Sequence, residues 1–85
     1  MRVFIATLTP GKPGSRQIPD LFINNYNDRL RQIVRGEGAV LVDLFGALSS
    51  DVNAYIGVDG LHPNEAGYRK MAETFFAAIR SDLER

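Results

Sequence analysis

Asp59 and His62 stand three residues apart in the run Asp59-Gly60-Leu61-His62-Pro63-Asn64, and His62 is the only histidine of the chain. A carboxylate at that spacing reaches the imidazole across one tight turn, accepts the Nδ1 proton, fixes the tautomer and leaves Nε2 free to take a proton from a nucleophile. This is the acid-base half of a hydrolytic site. The other half needs an activated nucleophile, and with no cysteine present the candidates are serines. Ser15 lies in a Pro- and Gly-containing stretch and Ser81 near the end of the last apolar-periodic segment, which leaves Ser49 and Ser50, whose loop leads toward His62. Serines in polar loops are ordinarily turn residues. The sequence therefore displays a base and its orienting acid without a clear nucleophile. Asp59-Gly60 is also a common turn dipeptide, and Asn64 suits a helix cap. His62 with Glu65 makes a poor metal pattern because no third or fourth ligand of the right type stands nearby, so neither a metal nor a cofactor is expected.

The elements that must hold this pair follow from periodicity. Residues 3–8 form a nearly continuous apolar run closed by Thr9-Pro10-Gly11, the pattern of a strand buried on both faces. Residues 11–17 read as a loop. From residue 18 to about 35, Phe22, Tyr26, Leu30, Ile33 and Val34 recur at helical spacing, with Gly36 and Gly38 as the stop. Residues 39–44 repeat the buried-strand pattern and make a strand-helix-strand crossover unit. A short helical turn is expected over 45–50 and an irregular loop over 50–58. A second long helix then runs from Asn64 to Leu83, with Tyr68, Met71, Ala72, Phe75, Phe76, Ile79 and Leu83 on its apolar face. Phe22, Tyr26, Phe75 and Phe76 are assigned to packing, since each helix needs an apolar face to cover a sheet. The order is β-α-β-α with parallel strands.

Eighty-five residues make one domain, of a size at which a single core is marginal. The ten basic and ten acidic residues cancel and are interspersed, which argues against nucleic acid or a charged membrane surface as partner. No apolar run reaches the roughly 20 residues of a membrane span, and the start is too quickly broken by Pro10 to read as a signal peptide. A soluble chain is expected, with its compartment left open.

The block Asp59-Gly60-Leu61-His62-Pro63-Asn64, followed by Ala66-Gly67-Tyr68 and Met71-Ala72, resembles the last conserved block of the SGNH (GDSL) hydrolases, serine esterases and lipases that include carbohydrate deacetylases. The Thr9-Pro10 strand end, the helix with Ile23-Asn24-Asn25-Tyr26-Asn27 and the strand ending Val42-Asp43-Leu44 agree with that resemblance. It implies a flavodoxin-like three-layer α/β/α fold, present here in part, with the chain corresponding to the carboxyl-terminal portion from the fourth of five strands. It further implies that Asp59 orients the imidazole and that His62 is general base toward a serine, then acid toward the leaving alcohol. The family's Gly-Asp-Ser and Gly-x-Asn-Asp blocks do not occur in the sequence. The expected partners are an ester substrate and either a complementary amino-terminal segment or a second copy of the chain. Self-association is expected through the edge of the 3–8 strand and through Met71, Phe75 and Ile79, which lack strands to cover. The alternative is a non-catalytic, self-associating remnant with an unused Asp-His pair.

Overall fold

A computed structural model describes residues 2–84. Strand β1 (Phe4–Ala6) pairs in parallel with β2 (Val40–Val42), Phe4 opposite Val40 and Ala6 opposite Val42. Between them runs α1 (Asp20–Glu37), which stops where Gly38 turns left-handed at φ 67° and its N–H donates to the Val34 carbonyl. Two short helices follow β2: α2 (Leu44–Ser49), whose first turn is capped by Asp43 accepting from the Gly46 N–H, and α3 (Val52–Tyr55), capped by Asp51 accepting from the Ala54 N–H. The last element is α4 (Glu65–Leu83), capped by Asn64. It packs on α2, α3 and β2, while α1 packs on β2. The core is small: Ile23, Val34, Val42, Leu44, Leu48 and Ile56 are buried.

The α/β class and the parallel pairing agree with the sequence, and several details do not. The strands are shorter than the apolar runs, three residues each, and the residues of β1 are only partly buried instead of being fully covered on both faces. A sheet of two strands is too narrow to cover the full width of its helices. In α1 the covered face is Ile23, Asn27 and Val34, rotated from the expected one, and Phe22 and Tyr26 are 67% and 54% exposed. In α4 the expected apolar face splits. Met71 and Phe75 turn partly inward, while Tyr68, Ala72, Phe76, Ile79 and Leu83 remain exposed. The assignment of Phe22, Tyr26 and Phe76 to packing is thus corrected for the chain by itself. The segment expected as an irregular loop contains α3, because Asp51 supplies a cap within a stretch that periodicity cannot resolve.

Candidate active site

The 57–62 turn carrying Asp59 and His62 is closed at its base by an antiparallel bridge between Ile56 and Pro63. Gly57 N–H donates to the His62 carbonyl at 2.7 Å, and Gly60 N–H to the Gly57 carbonyl at 3.0 Å. Below the bridge, Asn64 does three jobs: its Oδ1 accepts from Gly67 N–H at 2.8 Å, its Nδ2 donates to the Ala54 carbonyl at 2.8 Å, and its own N–H donates to the Tyr55 carbonyl at 2.9 Å. The cap that starts α4 is therefore also the tie between α3 and the turn. Gly67 belongs to the same junction, since a Cβ there would fall 2.1 Å from the Tyr55 carbonyl oxygen.

Within the turn both carboxylate oxygens of Asp59 are engaged. Oδ1 accepts from the backbone N–H groups of Leu61 at 2.9 Å and His62 at 3.0 Å, the local arrangement that an Asp two and three residues upstream makes readily. Oδ2 stands 2.6 Å from His62 Nδ1, a short charge-assisted hydrogen bond with Nδ1 as donor. The His62 ring bond and these two backbone donors hold the Asp59 carboxyl well below the usual carboxylate range. The Asp59 side chain is 26% exposed and that of His62 is 60% exposed, so the acid is shielded while the ring reaches solvent. Among the described residues no hydrogen bond engages Nε2. The arrangement fixes one tautomer and presents a basic nitrogen outward, as proton abstraction requires.

A second segment supports the turn from the other side. Lys12 N–H donates to the Gly60 carbonyl at 3.1 Å and Arg16 N–H to the Asp59 carbonyl at 2.8 Å. Gly60 adopts φ 79°, with room for no Cβ because the Lys12 carbonyl oxygen would lie 2.1 Å away. Next to this junction an apolar recess of about 70 Å³ is lined by residues of the 8–11 stretch, by Ile18 and Ile23 and by Leu61, the neighbour of His62. Sequence reasoning did not find these contacts, which are backbone to backbone across more than forty residues.

The remaining candidates are placed elsewhere. Ser49 ends α2 and Ser50 caps it, both exposed, with the Ser50 hydroxyl donating to the Ala47 carbonyl at 2.8 Å. Ser50 lines an open groove against α4 with Lys70, Glu73 and Thr74. Among the described residues no hydrogen bond links either serine to His62.

Comparison with known proteins gives a consistent set of relatives. The family model described as the GDSL-like Lipase/Acylhydrolase family matches residues 1–70. A spore germination lipase of Bacillus licheniformis is 27% identical over 70 residues, covering 82% of this chain and 33% of that protein. An acetylxylan esterase of Xylanibacter ruminicola is 31% identical over 80 residues, covering 93% of this chain and 16% of that protein. A solved alpha/beta hydrolase enzyme from the metagenome of Lake Arreo, Spain, superposes with a TM-score of 0.75 at 27% identity, covering 91% of this chain and 37% of that one. The chain spans a third or less of the length of these two curated relatives.

Proposed function

Because the chain belongs to the GDSL-like lipase/acylhydrolase family, we propose that it supplies the acid-base part of a serine ester hydrolase, with His62 as the base and Asp59 as its orienting acid. The observation that carries this reading is the 2.6 Å bond from His62 Nδ1 to Asp59 Oδ2, on a ring whose other nitrogen is engaged by no hydrogen bond among the described residues. In the proposed reaction Nε2 takes the proton of a serine hydroxyl as that oxygen attacks the ester carbonyl. Asp59 stabilises the imidazolium, which then protonates the departing alcohol. Water repeats the sequence on the acyl-serine, releasing the acid and restoring the hydroxyl.

The serine and the oxyanion donors come from a complementary segment carrying a Gly-Asp-Ser block, since neither Ser49 nor Ser50 is placed on His62. That two relatives are named as a lipase and an acetylxylan esterase supports a carboxylic ester as the substrate.

The test is co-expression with the amino-terminal, Gly-Asp-Ser-bearing segment of a family member, followed by assay on a p-nitrophenyl acetate series. The pair is expected to turn over saturably, to be blocked by a serine-directed phosphonate and to lose activity on His62→Ala. A copurifying pair whose activity is unchanged by His62→Ala overturns the assignment. The chain alone is expected to hydrolyse the ester no faster than an equal concentration of imidazole, because preorganised oxyanion donors are commonly worth about 10²–10³ in rate.

A second reading has its own support. Among the described residues the outer edge of β1 has no strand beside it, and Phe22 and Phe76, on α1 and α4, are 67% and 65% exposed. Such surfaces drive association of like chains. In this reading the chain is a self-associating module whose Asp59–His62 pair is unused, and the ester assay separates the two.

A further inference from the structure

Asn27 occupies the centre of the covered face of α1, between Ile23 and Val34, and is 1% exposed. Helical periodicity asks for an apolar side chain there, and burying an amide costs free energy unless its donor and acceptor are both paired. They are paired with a single residue. Asn27 Oδ1 accepts from Leu8 N–H at 2.8 Å, and Asn27 Nδ2 donates to the Leu8 carbonyl at 3.2 Å. Leu8 lies just beyond the β1–β2 ladder, which ends where Thr7 N–H donates to the Val42 carbonyl at 3.0 Å. The Asn27 side chain thus stands in for a neighbouring strand and fixes the backbone past the end of the sheet.

What it fixes is the root of the segment that cradles the Asp59 turn. From Leu8 the chain passes buried Pro10 and reaches Lys12 and Arg16, whose N–H groups hold the carbonyls of Gly60 and Asp59. Between these two bonds the segment lies directly on the turn, since a Cβ on Gly14 would fall 2.4 Å from the Asp59 carbonyl carbon. The main chain of Asp59 is therefore set by the 8–16 segment, and the carboxylate must be aimed within about 0.5 Å for its bond to His62 to stay short. A leucine at position 27 would suit a buried helix face but would remove the side-chain partners of both backbone groups of Leu8.

We propose that Asn27 is a positioning residue for the Asp59–His62 pair, acting through the 8–16 segment. The inference rests on the functional reading above only in treating the pair as a catalytic one. Its test reads the geometry of the pair and not turnover, so the two can fail separately.

The experiment is ¹⁵N NMR of the single histidine in the whole chain, recorded in its neutral form. In the unaltered protein His62 is expected in the Nδ1–H tautomer with a downfield Nδ1 proton. Asn27→Leu is expected to keep the helical circular dichroism and lose that proton signal, the ring moving toward the tautomer mixture of free imidazole. Gly14→Ala, which pushes on the turn from the other end of the segment, is expected to do the same. Asn24→Ala, on the exposed side of α1, should change nothing. A folded Asn27→Leu protein with the unaltered His62 signal overturns the proposal. If that variant does not fold, Asn27→Asp carries the same reading, since it keeps an acceptor for Leu8 N–H and loses the donor to the carbonyl. An unchanged signal in Asn27→Asp, or failure of both variants to fold, assigns Asn27 to fold stability alone and also overturns the proposal.

Discussion

Replacing Gly60 by alanine tests how tightly the Asp59 turn is held. Gly60 has φ 79°, a conformation that costs an L-residue roughly 1–2 kcal/mol, and the new Cβ would lie 2.1 Å from the Lys12 carbonyl oxygen and 3.0 Å from Gly14 N. Both close neighbours are backbone, so the overlap is relieved only if the 12–16 segment moves off the turn. That movement breaks the bonds from Lys12 and Arg16 to the Gly60 and Asp59 carbonyls, each worth about 0.5–1.5 kcal/mol net. The sum is about 2–5 kcal/mol, a large share of the stability of a domain this small. At roughly 4–8 °C per kcal/mol, thermal unfolding should come at least about 8 °C earlier. Gly36→Ala is the internal control. It lies in α1 with nothing within 4 Å of an added Cβ, and it should stabilise by a few tenths to about 1 kcal/mol. Circular dichroism melts of the two variants beside the unaltered chain decide the matter. A Gly60→Ala melt within a degree or two of the unaltered protein would refute the argument that the 12–16 segment clamps this turn.

Two further outcomes follow from the same geometry. The folded Asp59 carboxyl lies below its ordinary value of 3.8, so its contribution to stability is fully present above that value and is lost as pH falls through the folded one. Between pH 5 and 2, urea midpoints of the unaltered chain should therefore fall more steeply than those of Asp59→Asn, and parallel curves would contradict the hydrogen bonding assigned to that carboxylate. The exposed stripe of α4 and the open edge of β1 predict a dimer or larger assembly at micromolar concentration by sedimentation equilibrium. Phe76→Glu, at a site 65% exposed, should shift it to folded monomer. A folded monomer of the unaltered chain would rule the association out.

The Asp59–His62 hydrogen bond is legible in the sequence because it is local: an Asp three residues before a His closes a turn whose other donors are the intervening N–H groups. The start of α4 is legible for the same reason, since Asn64 caps it from the adjoining residue. Periodicity also marks α1 and α4 as helices, yet it cannot say which part of a broad apolar stripe is covered when the sheet has only two strands. Phe22 and Tyr26 consequently stay exposed while Asn27, a polar residue one position from the expected face, is buried. Its role depends on Leu8, nineteen residues away, and the clamp of Lys12 and Arg16 on the Asp59 turn depends on main-chain atoms. Residue types encode neither contact.

Asp59 holds His62 through Nδ1, and the chain's single histidine allows the ring's tautomer to be measured without assignment ambiguity. The ¹⁵N spectrum of the neutral imidazole should show Nδ1 protonated and Nε2 bare, with the Nδ1 proton shifted downfield, and Asp59→Asn should weaken or remove that signature. A ring that carries its proton on Nε2, or one whose spectrum is the same in Asp59→Asn, would mean that Asp59 does not set the tautomer of His62.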